Sequence, residues 1–159
     1  MKNVDVTEKM MVFDMDGTLA DLYGVKGWLQ YLKDKNALPY AVAKPLVNMG
    51  SLRIMLRNLK ICGWKIIVAT WGPKMAEDNF LTEVGYVKKQ WLDNYGFPYD
   101  KFYCLPYGTT KNWVAKDETG LKIIFDDDSL VRQDWDGIAI DPNAVNMILT
   151  CQTLNQHYQ

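Results

Sequence analysis

Met10-Met11-Val12-Phe13-Asp14-Met15-Asp16-Gly17-Thr18 begins as an apolar run suited to a buried strand and breaks into two carboxylates two residues apart. Gly17 then permits a sharp turn away from the strand, since glycine reaches left-handed backbone angles without steric cost. Four later runs have the same character. Lys65-Ile66-Ile67-Val68-Ala69 stops at Thr70, Lys101-Phe102-Tyr103-Cys104-Leu105 at Pro106, Leu121-Lys122-Ile123-Ile124-Phe125 at Asp126, and Gly137-Ile138-Ala139-Ile140 at Asp141. Five strands are therefore predicted.

The intervals between them carry helical spacing. Val25, Trp28, Leu29 and Leu32 recur at i, i+3, i+4 and i+7, as do Leu52, Met55, Leu56 and Leu59. Phe80, Val84, Val87, Trp91 and Tyr95 form a third stripe, closed by Gly96 and Pro98, and Val145, Ile148 and Leu149 mark a last helix opened by Pro142-Asn143. Strand-helix alternation of this kind builds right-handed β-α-β units, hence a five-stranded, mostly parallel sheet covered on both faces. Such sheets bind ligands at the carboxyl ends of their strands. Here those ends offer Asp14, Thr70 and Asp126, with Lys111 in the connection that leads to the fourth strand.

Composition narrows the chemistry. The 159 residues include 18 basic and 19 acidic side chains, a formal net charge of −1, which argues against coating nucleic acid or an anionic membrane through a broad basic surface. At this length a single domain spanning 1–159 can bury roughly 70% of its unfolded surface without disulfide or structural metal. Met1–Val6 lacks an apolar signal core and no apolar run reaches the roughly 18 residues of a membrane span, so a cytoplasmic protein is expected. Cys62, Cys104 and Cys151 lack metal or redox spacing and are expected to be reduced. The single His, at 157, rules out a His-based triad or a multi-His metal site. Catalysis would rest on carboxylates, Lys, hydroxyls and a hard cation.

Asp14 and Asp16 on one strand end, with Asp126-Asp127-Asp128 on another, bring up to five carboxylates to one rim. Like charges at ~4–6 Å raise each other's pKa and destabilise the fold unless a cation offsets them, and Mg²⁺ suits an all-oxygen donor set. Thr70 and Lys111 add a hydroxyl donor and a fixed positive charge, which is what the oxygens of a phosphoryl group require. Asp128, just ahead of Ser129-Leu130-Val131, reads instead as a helix N-cap. Lys74, Lys88, Lys89 and Lys116 could be argued for the role given to Lys111, whose position 15 residues before Asp126 makes it the best match; the others read as solvated charges on helix surfaces.

Asp14-x-Asp16-Gly17-Thr18, then Val68-Ala69-Thr70 closing a strand, then Lys111, then Ile123-Ile124-Phe125-Asp126-Asp127, resemble the four ordered motifs of the haloacid dehalogenase superfamily. The resemblance covers essentially the whole chain. It implies a Rossmann-like three-layer α/β/α fold and a phosphatase that works through an aspartyl-phosphate. On that basis Asp14 would be the nucleophile, and Asp16 the general acid and later base, its carbonyl helping to hold Mg²⁺. Thr70 and Lys111 would bind the phosphoryl group, and Asp126 and Asp127 would complete the metal site, with Asp127 favoured as the direct ligand. Dehalogenases of the superfamily lack the second Asp, so Asp16 favours phosphate esters over carbon–halogen bonds.

The interval from Gly17 to Trp64 must also hold the crossover helix at Leu52, which leaves a small helical cap within about 18–48. A small cap suits a large substrate or closure by another subunit of a homo-oligomer. Asp14-Met15-Asp16-Gly17-Thr18-Leu19-Ala20-Asp21 followed by such a cap is similar to the 5′(3′)-deoxyribonucleotidase branch, which implies nucleoside monophosphates as substrates. Tyr23 and Trp71 follow motif residues and are candidates for stacking on a base or sugar. Trp28 lies on an apolar stripe and is assigned to the core. Competing readings are a phosphatase for nucleic-acid ends or phosphoproteins, and a domain that accepts or binds phosphate without hydrolysing it. A signalling receiver combines similar residues, but places its acidic pair first and its Thr and Lys last, whereas Thr70 and Lys111 precede the second acidic cluster here.

Overall fold

A computed structural model describes residues 5–74 and 79–159; the stretch 1–4, part of the segment read above for a leader, lies outside the described residues. Five parallel strands form the central sheet: β1 (Asp5–Phe13), β4 (Trp64–Trp71), β5 (Lys101–Leu105), β6 (Gly120–Phe125) and β7 (Ile138–Ile140), in the order β5-β4-β1-β6-β7. The fold is thus an α/β, Rossmann-like arrangement with helices on both faces of the sheet. From β1 the chain moves outward to β4 and β5, then returns to the other side of β1 for β6 and β7. The strand order reverses next to β1, which is where doubly wound sheets open a crevice at their carboxyl ends.

Apolar runs without polar alternation bury both faces of each central strand. Met11 and Phe13, Ile66 and Val68, Ile123 and Phe125 point to one side, where α3 (Met49–Ile61), the later turns of α4 (Phe80–Asn94) and α6 (Met147–His157) cover them. Met10, Val12, Ile67, Ala69 and Ile124 point to the other, beneath Ala115, Val131 and Trp135, with Val131 on α5 (Ser129–Asp134). Phe13 stacks on Phe125 with ring centroids 5.2 Å apart and takes Phe97 edge-on at 5.6 Å. Lys9 is buried on β1; its ammonium donates to the carbonyls of Cys62 at 2.9 Å and Tyr158 at 3.3 Å, the residues that end α3 and α6. One cation therefore satisfies the terminal carbonyls of two helices.

Between β1 and α3 the chain forms a short antiparallel ribbon, β2 (Ala20–Asp21) with β3 (Lys44–Pro45), enclosing α1 (Trp28–Lys33) and α2 (Leu38–Val42). Leu22, Ala37 and Tyr40 of this insert pack on Phe80 and Val84, the first turns of α4. Of the stripe read at Val25–Leu32, Val25 packs against the main core, but α1 itself does not bury its face: none of its residues is buried, Leu29 is exposed, and Trp28 is only half-covered, against the insert's own small cluster. The last helix begins later than Pro142-Asn143. Asp141 accepts from the backbone N–H groups of Asn143 and Ala144, closing a turn there, and Asn146 Oδ1 caps the helix by accepting from Leu149 N at 3.0 Å. Among the described residues no helix is long and apolar enough to cross a membrane. Cys62, Cys104 and Cys151 are all free thiols.

Leu56 of α3 is fully buried in the main core, whereas Ile61 at the end of the same helix is 84% exposed. Leu56→Ala is expected to cost about 2–5 kcal/mol, and Ile61→Ala less than about 0.5 kcal/mol. Urea unfolding of both variants measures the difference; equal losses would contradict the assigned face of α3.

Candidate active site

The register of the sheet assembles the site. Phe13 pairs with Phe125 across β1 and β6, so Asp14 and Asp126 leave adjacent strand ends side by side. Asp14 N still donates to Phe125 O at 3.0 Å, extending the ladder by one bond. Both acids are buried, and between them lies Lys111, itself buried, donating to Asp14 Oδ1 at 2.8 Å and Asp126 Oδ2 at 2.6 Å. Lys111 opens the 3₁₀ turn Lys111–Ala115, with Thr110 Oγ1 accepting from Asn112 N at its start.

Gly17 places the third acid. Its φ is +81°, and a Cβ there would overlap Asp127 Oδ2, so the chain needs glycine both for the turn and for the approach of Asp127. Asp14, Asp126 and Asp127 offer carboxylate oxygens that all lie within 4.8 Å of one another. Thr18 Oγ1 stands 3.1 Å from Asp14 Oδ2 and 3.4 Å from Asp127 Oδ1. Asp126 has both oxygens engaged, Oδ2 by Lys111 and Oδ1 by Asp128 N at 2.9 Å. Asp128 turns away and caps α5, accepting from Leu130 N at 2.8 Å and Val131 N at 3.3 Å. Three carboxylates therefore converge, rather than five.

Asp16 faces the other way. Its Oδ2 accepts from the Lys88 ammonium at 2.8 Å, and the same ammonium donates to Thr70 Oγ1 at 2.7 Å and Trp71 O at 2.6 Å. This corrects the placement of Lys88 on a solvated helix face: it is fully buried, while Lys74, Lys89 and Lys116 are exposed. The signal was present in the sequence. Phe80, Val84, Lys88, Trp91 and Tyr95 fall on one helical stripe, and a charge in the middle of an apolar stripe must find partners inside. Thr70 is fully buried as well; its oxygen accepts from Lys88, so its own hydroxyl proton is left to donate.

Asp14, Asp16, Lys111, Asp126 and Asp127 line a cleft of about 1220 Å³ whose upper walls are aromatic. Tyr23 meets Trp28 edge-on at 5.1 Å on the insert side, and Trp71 meets Tyr107 at 5.0 Å on the opposite side. Trp71 is fixed by its Nε1, which donates to Thr109 O at 2.8 Å. Tyr23 and Trp71 both line the cleft, and so does Trp28, which the apolar stripe assigns to the core.

Four carboxylates face two ammonium groups here, and the imbalance shows in their titration. Burial, followed by the charge of Asp14, lifts Asp126 to about 6. Burial and a hydrogen bond with Asp14 lift Asp127 to about 8. Asp16 is raised by burial against the opposing pull of Lys88. Burial alone would depress Lys111, but Asp14 and Asp126 outweigh it and hold its pKa above the usual lysine value. A hard divalent cation fits this donor set: three clustered oxygen ligands, with the raised proton affinity of Asp126 and Asp127 reporting unneutralised negative charge.

No protein-family profile matches the chain, and no curated protein sequence does so either. Among solved structures, the crystal structure of D,D-heptose 1,7-bisphosphate phosphatase from Burkholderia thailandensis aligns with 79% of this chain and 70% of its own, at 17% identity and a TM-score of 0.45. A likeness of that size decides neither fold nor activity, which rest here on topology and side chains.

Carboxyls whose folded-state pKa lies above the unfolded value of 3.8 stabilise the fold most at low pH, and that stability is lost as pH rises through the folded values. For Asp126 and Asp127 the window runs from about 4 to about 8. The cation-free protein should therefore lose thermal stability between pH 5 and 8 by about this route. Millimolar Mg²⁺ should raise the melting temperature more at pH 8 than at pH 6, because the cation replaces the protons. Differential scanning fluorimetry at both pH values checks this; a Mg²⁺ effect that is absent or larger at pH 6 would refute the assigned cation site.

Proposed function

We propose that the chain is a phosphomonoester hydrolase of the haloacid dehalogenase type, acting on small phosphorylated substrates and using Asp14 as nucleophile. The observation that supports this best is the buried Lys111 ammonium held 2.8 Å from Asp14 Oδ1 and 2.6 Å from Asp126 Oδ2, at the strand ends where the sheet opens. A carboxylate so held cannot turn away from an incoming group, and the adjacent cation offsets the charge of a phosphate approaching it. The four ordered motifs supply the same assignment from sequence.

In the first half-reaction an Asp14 carboxylate oxygen attacks phosphorus, and the bond to the leaving oxygen breaks with its electron pair. Asp16 delivers a proton to that oxygen, so that an alcohol departs rather than an alkoxide. Asp16, now ionised, then takes a proton from water as the water oxygen attacks the phosphorus of the acyl phosphate. The P–O bond to Asp14 breaks, inorganic phosphate leaves, and the Asp14 carboxylate is restored. Lys111 and the Thr70 hydroxyl would meet the phosphoryl oxygens. Mg²⁺ would be held by Asp14, Asp126 and Asp127, with the Asp16 carbonyl, and when bound it supplies positive charge to the transferring group.

The aromatic walls support a reading of the substrate class. Tyr23 with Trp28 and Trp71 with Tyr107 line the cleft above the carboxylates and offer ring faces to a base or sugar, which favours nucleoside monophosphates. A second cleft of about 450 Å³ shares Trp71, Tyr107 and Lys111 with the first and is lined further by Gly108, Leu130 and Asp134. That adjoining cleft favours, as a second reading, a phosphorylated nucleic-acid end.

Hydrolysis of p-nitrophenyl phosphate, a nucleoside monophosphate panel and a 3′-phosphorylated oligonucleotide, each in Mg²⁺ and in EDTA, tests the reading. Turnover is expected in Mg²⁺ only, with Asp14→Asn lowering kcat by about 10³-fold or more. Preference for the oligonucleotide would select the second reading. No turnover of any ester in Mg²⁺ would sink both.

A further inference from the structure

On the proposed hydrolytic reading, we infer that Lys88 is a positioning residue for proton delivery: it fixes the Asp16 carboxylate relative to the phosphoryl-binding end of β4. Neither the ordered motifs nor the mechanism above uses this side chain. Its ammonium has three N–H bonds, and Asp16 Oδ2, Thr70 Oγ1 and Trp71 O accept one each, at 2.8, 2.7 and 2.6 Å. With every donor spent and the side chain fully buried, the ammonium has neither rotational freedom nor water to exchange with.

The three acceptors come from two different pieces of chain. Asp16 lies in the loop after β1, whereas Thr70 and Trp71 close β4. Among the described residues, no other side-chain hydrogen bond to Asp16 accompanies that of Lys88. A carboxyl two residues beyond the nucleophile would otherwise be free to swing into the cleft, since Gly17 follows it. Lys88 also lies 4.6 Å from the centre of the Tyr40 ring, so the insert closes over the ammonium from above. The bond lengths of a proton transfer tolerate little displacement, and a tether to β4 sets Asp16 at a constant distance from where the leaving oxygen must lie.

A role exercised through the proton donor predicts a dependence on leaving group. p-Nitrophenolate departs without a proton, while an alkoxide needs one. The ratio of kcat/KM for p-nitrophenyl phosphate to that for glycerol 2-phosphate isolates this. Each kcat/KM covers only the steps up to phosphorylation of Asp14, so later hydrolysis does not enter. Lys88→Met should raise the ratio by about 10²-fold, within the range of a lost general acid. Asp16→Asn should raise it at least as far, and Lys88→Met added to Asp16→Asn should move it no further.

Should Lys88→Met fail to fold, as circular dichroism will tell, Lys88→Arg keeps the charge in the core. Its planar fork cannot reproduce three bonds from one atom, and it should raise the ratio about tenfold. A ratio that stays constant in whichever variant folds, or one that rises again in the Asp16→Asn background, overturns the inference. So does a wild-type protein that cleaves the aryl ester and no alkyl ester. Wild-type protein inert toward both esters and toward the nucleotide and oligonucleotide panel overturns the hydrolase reading itself, a distinguishable result.

Discussion

Lys111 between Asp14 and Asp126 is the contact on which the rest of the site depends. Parallel pairing of β1 with β6 in the register Phe13 to Phe125 forces two carboxylates to leave the sheet next to each other. At such separations, away from bulk water, their repulsion amounts to several kcal/mol. The ammonium offsets it with bonds of 2.8 and 2.6 Å, and in doing so it pins the 3₁₀ turn Lys111–Ala115 against the strand ends. Loop placement thus follows from charge, and charge from register. Removing one partner would leave an uncompensated ion in the core, a loss of about 3–5 kcal/mol.

Lys88 repeats the device on the far side of Asp14. The difference lies in what is joined: Lys111 ties two strands of one sheet, whereas Lys88 ties α4 to the loop after β1, to the end of β4 and, through Tyr40, to the insert. Two cations against four carboxylates still leave net negative charge, concentrated at Asp14, Asp126 and Asp127. The raised proton affinity of Asp126 and Asp127 and the fitness of the trio for a divalent cation are therefore one fact seen twice.

The strands were legible because burial on both faces leaves uninterrupted apolar runs, and a carboxylate bounds such a run after Phe13 and Phe125; the Thr70 hydroxyl does not, since β4 runs on through it to Trp71. Helix identity in α3 and α4 was legible from period, but helix beginnings were not. Pro142-Asn143 has the composition of a start, yet Asp141 spends its acceptors on a turn, and the capping task passes to Asn146. The stripe at Val25–Leu32 gave a helix, though periodicity cannot say whether its apolar face meets the sheet or, as here, the insert and the cleft. Exposure is the default for lysine, which hides Lys88 from a residue-type argument. Its place on the stripe of Phe80, Val84, Trp91 and Tyr95 outweighs that default once a helix face is known to be buried. Which way Asp16 turns could not be read from its spacing to Asp14 at all, since that depends on an ammonium 72 residues later.

Tethering by one ammonium has a further consequence for how the site can move. Asp16 Oδ2, Thr70 Oγ1 and Trp71 O share a donor that has no fourth bond to give, so displacing any one of them breaks a buried charge-assisted bond unless the others follow. On the proposed reading, Asp16 serves the leaving oxygen, Thr70 the phosphoryl oxygens, and Trp71 the substrate's ring. These three functions then shift as a unit with α4. The insert rests on the first turns of that same helix through Leu22, Ala37 and Tyr40. Any closing of the insert over a substrate would thus press on the helix that carries Lys88. That is a mechanical reason for a small insert to matter to proton transfer while donating no acid of its own.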